Sequence, residues 1–206
     1  MSYEVREKGK TANAPMIINS TNAISTGRHL NRLSYNSSEK AEWFYIEVID
    51  DAGNWARKQY FKPVLGRGFV KTKEDLDKEE GKFSSVVQSL TNAILPEGYT
   101  TGKVDSFKDF CEKIMADIPR SMYTKNLRVK CIYDKKTGLP TLPAFGVVFE
   151  DPSRVTDQDS RMSIHPKDLV EPIKMDEDPL KPEENKVLNL EDLPSKNEAG
   201  IDDLPF

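Results

Sequence analysis

The strongest constraint on the fold is Trp43-Phe44-Tyr45-Ile46-Glu47-Val48-Ile49, an aromatic and β-branched run that ends in Asp50-Asp51-Ala52-Gly53-Asn54. Such side chains fit a pleated, half-buried surface, and Asp, Gly and Asn supply the dihedrals of a tight reversal. Trp55 to Lys62 follows as the returning strand, and Pro63 helps to end it because proline brings no ladder donor. With Ala52-Gly53 as a two-residue loop, Asp51 pairs with Asn54, Glu47 faces Lys58, Tyr45 faces Tyr60 and Trp43 faces Lys62. Alternation then turns Phe44, Ile46, Val48 and Phe61 toward a core, and Trp43, Tyr45, Lys58, Tyr60 and Lys62 toward the opposite face. Flat rings interleaved with lysines match what an unpaired nucleic acid strand offers: base faces to stack and phosphates to neutralise. The competing reading packs Trp43 and Tyr45 beneath a loop or the helices, and a bulge would invert the parity.

The rest of the chain arranges itself around this hairpin. Met16-Ile17-Ile18 opens an apolar stretch that runs, broken by Asn, Ser and Thr, through Ile24, Leu30 and Leu33 and reads as a bent first strand. Residues 64–82 read as a solvated loop of glycine and mixed charge. Phe83, Val86, Val87, Leu90, Ala93 and Ile94 recur at helical spacing up to Pro96-Glu97-Gly98. A second helix is expected from about Ser106, its cap, to Ile118, with Phe107, Phe110, Ile114 and Ile118 on one face and Pro119 beyond it. Leu127, Val129, Cys131 and Tyr133 alternate with Arg128, Lys130 and Ile132 as a strand. Asp134 to Gly138 turns, and Ala144 to Glu150 returns. Bent strand, hairpin, helical insertion and second hairpin give a mainly β chain with one or two helices between strands 3 and 4. That is the order of a five-stranded OB barrel, although other small α+β folds share it.

Further candidates lie around the same surface. Trp55 opens the return strand, and Arg67 and Phe69 sit in Gly66-Arg67-Gly68-Phe69, a segment able to close over a bound strand but without phosphate-loop spacing. Arg128 and Lys130 stand opposite Leu127, Val129 and Cys131, and Lys135 and Lys136 occupy the following turn. In an OB barrel the loop after strand 4 lines the groove; the plainer alternative is a solubilising strand face. Catalysis finds no pattern here. His29 and His165 are far apart, no HExxH or GxSxG occurs, and Asp50-Asp51 beside Ala-Gly-Asn is turn chemistry. No cofactor or metal is expected. Cys111 and Cys131, both on apolar periodicities, read as buried free thiols of a reducing compartment. No signal-type opening and no run near 18 apolar residues occurs, so the expectation is a soluble cytoplasmic protein with no membrane partner.

Charge divides the chain. Residues 171–206 carry 11 acids and 4 bases, a net −7, while residues 1–170 carry 23 acids and 26 bases, a net +3. With Pro172, Pro179 and Pro182 among the acids and a mean hydropathy of −0.62 overall, residues 171–200 read as a disordered acidic linker. The last residues are Ile201-Asp202-Asp203-Leu204-Pro205-Phe206, and an apolar end on an acidic tail suits a peptide held out for capture. This tip resembles that of bacterial and phage single-stranded DNA-binding proteins, where two or three Asp precede Ile/Leu-Pro-Phe. Ile201 stands where a third Asp is common, and Leu204 replaces Ile. The resemblance spans six residues of 206. It implies an OB-fold single-strand-binding domain over 1–170, the linker at 171–200 and a partner-docking tip at 201–206. It further implies a non-catalytic protein that coats and protects single-stranded DNA in a bacterial or phage-infected cell. Asp202, Asp203, Leu204, Pro205 and Phe206 would recruit replication, recombination and repair proteins. The helical insertion departs from the compact bacterial domain and favours a phage member. The alternative is an accessory protein of the replication or recombination machinery that carries the tip but binds protein; an OB-fold nuclease is disfavoured for want of a metal pattern.

Overall fold

The computed structural model describes residues 14–165 and 168, all within a compact unit spanning Met1–Pro172. The tip and the linker lie outside the described residues. Three long strands, β1 (Ile24–Ser37), β2 (Glu42–Asp50) and β3 (Trp55–Phe61), are followed by helices α1 (Lys73–Ile94) and α2 (Phe107–Asp117). Four short strands complete the order: β4 (Leu127–Lys130), β5 (Ile132–Tyr133), β6 (Pro140–Thr141) and β7 (Phe149–Glu150). The main sheet is antiparallel and five-stranded, ordered β3-β2-β1-β4-β7, and β5 pairs with β6 separately. The chain is thus mainly β with two helices inserted between the third and fourth strands.

β1 reaches two neighbours because it bends. Its register slips between Leu30 and Arg32 against β2, and between Ser25 and Arg28 against β4, where Gly27 has a φ of 79°. Bulges of this kind raise the local twist and turn a strand from one partner to the next. Arg28 fills the gap: it is buried, and its guanidinium donates to the carbonyls of Val129 (2.6 Å) and Asn22 (2.5 Å). Upstream, residues 14–16 run beside the start of β3, with Met16 N donating to the Trp55 carbonyl at 2.9 Å.

The hairpin forms where expected, but in a different register. Ile49 pairs with Trp55, Phe44 with Tyr60 and Trp43 with Phe61. The loop is Asp51-Ala52-Gly53, three residues rather than two. Gly53 N donates to the Asp50 carbonyl (3.0 Å), and the Asp50 carboxylate accepts from the backbone (2.8 Å) and amide (3.0 Å) of Asn54. Gly53, at φ 83°, supplies the left-handed residue that closes a three-residue hairpin loop. One extra loop residue turns every β3 side chain over. Tyr60 therefore joins Phe44, Ile46 and Val48 in the core, correcting its expected exposure, and Phe61 moves outward.

The helices cover the inner face of the sheet. Val86, Val87, Leu90 and Ile94 of α1 and Ile114 of α2 are buried in one cluster with Phe44, Ile46, Leu127, Val129 and Phe149. The expected loop over 64–82 is half helix. Thr72 and Asp75 form a reciprocal capping box, so the charged run from Lys73 belongs to the exposed first turns of α1. α2 starts where its cap predicts, with Ser106 Oγ accepting from Asp109 N at 3.0 Å. Phe107 and Phe110 pack on Phe83 at 5.3 and 5.9 Å between ring centres. The return strand expected over 144–150 shrinks to β7. Ahead of it, Gly146 N donates to Ser85 Oγ (2.9 Å) and Val148 N to Ser89 Oγ (3.2 Å), so two α1 serines satisfy amides that a ladder would otherwise take.

β3 and β6 approach each other without a ladder. Thr141 Oγ1 donates to the Arg57 carbonyl and Tyr60 Oη to that of Pro143, both at 2.8 Å. Among the described residues the two sheets are not closed into a ring of strands. No described helix is long and apolar enough to cross a membrane.

Candidate functional site

The outer face of β2 and β3 carries Trp43 and Tyr45 on one strand and Trp55, Arg57, Gln59 and Phe61 on the other, because these alternate with the buried positions. Phe61 is 56% exposed, and its ring lies 5.9 Å from that of Trp43. Two guanidinium groups rest on this row: Arg57 lies 4.0 Å from the Trp55 ring centre and Arg32, from β1, 5.4 Å from that of Tyr45. Planar cations held over indole and phenol rings are themselves stacking platforms. Beneath them the carboxylate of Glu47, largely buried, accepts from Tyr45 Oη and Asn31 Nδ2, each at 2.5 Å. Burial, and next the bond to Glu47, push the Tyr45 phenol up to about 12, so it stays a neutral donor.

A groove of about 550 Å³ runs along the outer side of β3. Tyr45, Trp55, Arg57, Gln59 and Phe61 form its sheet wall, and Asp134, Lys136, Thr137, Leu139 and Pro140 form the wall opposite. Asp134 builds that second wall: its Oδ1 accepts from the amides of Lys136 and Thr137, both at 2.9 Å, and from Thr137 Oγ1 at 3.1 Å. Burial alone would raise the Asp134 carboxyl; these donors and Lys58 outweigh it, and the group stays below the ordinary carboxylate range. The tight turn leaves Lys135 and Lys136 exposed.

The expected site residues fall into three groups. Trp43, Tyr45, Trp55 and Lys136 are brought together on the face and groove, with Lys135 beside them. Arg67 and Phe69 lie at one end: the Arg67 guanidinium donates to the Lys40 carbonyl in the β1–β2 turn, and Phe69 is 95% exposed. Lys62, just past β3, pairs with Glu42 at 2.6 Å. Others are diverted. Tyr60 is in the core, and Lys58, on the same side of β3, is partly buried where the groove undercuts the strand. Arg128 and Lys130 do point away from Leu127 and Val129, yet they lie beyond β1 on β4 and are covered rather than open. Arg128 pairs with Asp157 and, at 3.8 Å, with Glu150; Lys130 pairs with Asp168 at 2.7 Å and donates to the Ser163 carbonyl at 2.6 Å. Asp202 to Phe206 lie outside the described residues.

Arg32, on β1, and Arg57, Gln59 and Phe61, which the two-residue register turns inward, are the members absent from the expected face. The signal for the last three was present in Asp50 and Gly53, since Asp at the start of a reversal and Gly in its last loop position specify three residues. Among the described residues no group of three His, Cys, Asp or Glu could hold a metal ion. His29 is bound up structurally, with Nδ1 3.1 Å from the Lys125 carbonyl and Nε2 3.2 Å from Asp51. Compared with known proteins, the chain matches no family model and no curated protein sequence.

Proposed function

We propose that this chain is a non-catalytic single-stranded DNA-binding protein with an OB-type body, which coats single strands and recruits replication, recombination and repair proteins through its C-terminal tip. The observation that carries the proposal is the row of half-buried Trp43, Tyr45 and Trp55 and exposed Phe61, interleaved with Arg32 and Arg57 and bordered by the Lys136 groove. Stacking on such rings is worth roughly 1–3 kcal/mol per base and tolerates any sequence, whereas a duplex keeps its base faces hidden. The pairing of β1 with both β2 and β4, and the helices between β3 and β4, agree with the OB strand order. The Asp-Asp-Leu-Pro-Phe segment at 202–206 supports the recruiting role.

Titration of the full chain with labelled oligo-dT over a salt series tests this reading. Saturable binding is expected, with log affinity falling against log salt at about −0.7 per phosphate neutralised. Duplex of the same length should bind far more weakly. Equal affinity for duplex and single strand, or no binding to oligo-dT, overturns it; protein partners captured without DNA affinity would favour an accessory role.

A further inference from the structure

Buried and half-buried cations in this protein are matched almost one for one with acceptors. Arg28 takes carbonyls, Lys62 takes Glu42, Lys125 takes Asp151 at 2.8 Å and Lys130 takes Asp168. Lys82, Lys113 and Arg128 are likewise paired. Among the described residues Lys58 is the exception: it is partly buried and lines the β3 groove, and its ammonium makes no hydrogen bond or ion pair with them. Its nearest compensation is the Tyr60 ring, 5.9 Å from Nζ, and the longer-range field of Asp134. Asp134 spends Oδ1 on its own turn and does not reach Lys58 as a salt bridge.

A desolvated ammonium without an acceptor is costly, and a fold free to vary would pair it or let it snorkel out. Lys58 is held instead by its strand. Ala56 and Tyr60, which share its side of β3, are core residues, and Thr141 Oγ1 ties the Arg57 carbonyl to β6. The groove above it has Arg57 on the sheet wall and Lys136 on the other, so two more cations border the same space. Aromatic rings for bases lie along that sheet wall. An anion entering beside the stacking row is what this arrangement lacks.

We infer that the β3 groove is a seat for one backbone phosphate of the bound single strand, with Lys58 as the cation at its floor and Lys136 at its rim. The inference rests on the single-strand reading and adds where the strand runs: along β3, between the aromatic row and the 134–139 wall, not across β4. Arg128 and Lys130, already neutralised by Asp157 and Asp168, take no part. Burial pulls the Lys58 ammonium below its ordinary range, and an incoming phosphate restores the lost stabilisation of its charge.

The test uses the full chain, with oligo-dT binding measured by anisotropy across a salt series. Lys58→Met keeps the stem and removes the charge. It should bind roughly ten- to thirtyfold more weakly at low salt, with a salt slope shallower by about 0.7. Its unfolding midpoint should stay level or rise, because an unpaired charge has gone. Lys58→Arg should keep the wild-type slope. As a variant that leaves the floor intact, Gln59→Glu places a carboxylate at the exposed sheet wall of the groove and should weaken binding about tenfold. Gln88→Glu, on the outer face of α1, should leave it unchanged. A folded Lys58→Met with wild-type affinity and slope overturns the seat while leaving the single-strand reading intact, as do equal losses from Gln59→Glu and Gln88→Glu. A wild-type chain that fails to bind oligo-dT overturns both.

Discussion

Truncating Tyr60 and Phe61 one at a time should separate stability from binding, although the two residues are adjacent. Tyr60 is 5% exposed; its ring lies 5.7 Å from that of Phe83, and its hydroxyl donates to the Pro143 carbonyl at 2.8 Å. Tyr60→Ala removes a buried ring, leaves a cavity and strips that carbonyl of its donor, a loss of about 3–5 kcal/mol for an aromatic truncation of this kind. Tyr60→Phe isolates the hydroxyl and should cost about 1 kcal/mol. Phe61, more than half exposed, has its Trp43 ring contact to lose, so Phe61→Ala should cost about 1 kcal/mol or less of stability. Its binding loss should be about 1–3 kcal/mol, or roughly five- to 150-fold in Kd, if the ring stacks a base. Urea unfolding measures the first quantity and oligo-dT anisotropy the second. The two-residue loop register makes the opposite assignment, with Tyr60 outward and Phe61 in the core. A Phe61→Ala protein that loses 3 kcal/mol or more of stability, beside a Tyr60→Ala protein that folds normally and binds weakly, would refute the three-residue loop and the site built on it.

Two further outcomes are expected. Asp151 is buried and accepts from Lys125 (2.8 Å), Arg154 (3.1 Å) and Ser153 Oγ (2.6 Å); burial raises its carboxyl, but the bonds from Lys125 and Ser153 outweigh it and hold the group below its ordinary range. A depressed folded-state value stabilises above the unfolded pKa and is lost as pH falls through the folded one, so Asp151→Asn should cost roughly 1–3 kcal/mol near pH 7 and progressively less below about pH 4 in urea unfolding; a pH-independent difference would refute the ion pairs as its cause. Phe206→Ala removes the anchor ring, so it should abolish capture of replication and repair proteins in pull-downs while oligo-dT affinity and thermal midpoint stay within error; identical partner sets would refute the docking role of the tip.

The local signals were legible wherever one side chain settles a backbone choice. Ser106 caps α2, Trp43 to Ile49 forms a strand, and Asp134 turns the chain, each through bonds within a few residues. Composition alone favours a loop for the mixed-charge run, whereas Thr72 and Asp75 form a capping box and the apolar stripe behind them carries the helix. The order of elements, the helices between the third and fourth strands and the aromatic character of the hairpin were therefore present in the residues themselves.

What only the tertiary structure decided was which face each residue serves and which charges remain available. Strand parity follows loop length, and one residue between Asp50 and Asn54 exchanged Tyr60 for Phe61 on the outer face. Arg128 and Lys130 carry the alternation of an open cationic strand, yet Asp157 and Asp168, far along the chain, neutralise them. Lys58 has no ion pair because the β5–β6 turn arrives over β3 with Asp134 Oδ1 bound to its own amides and the carboxylate acting on the ammonium only through its longer-range field. Pattern and propensity act through neighbours in sequence, whereas pairing and desolvation depend on neighbours in space, and those were set only when the strands met.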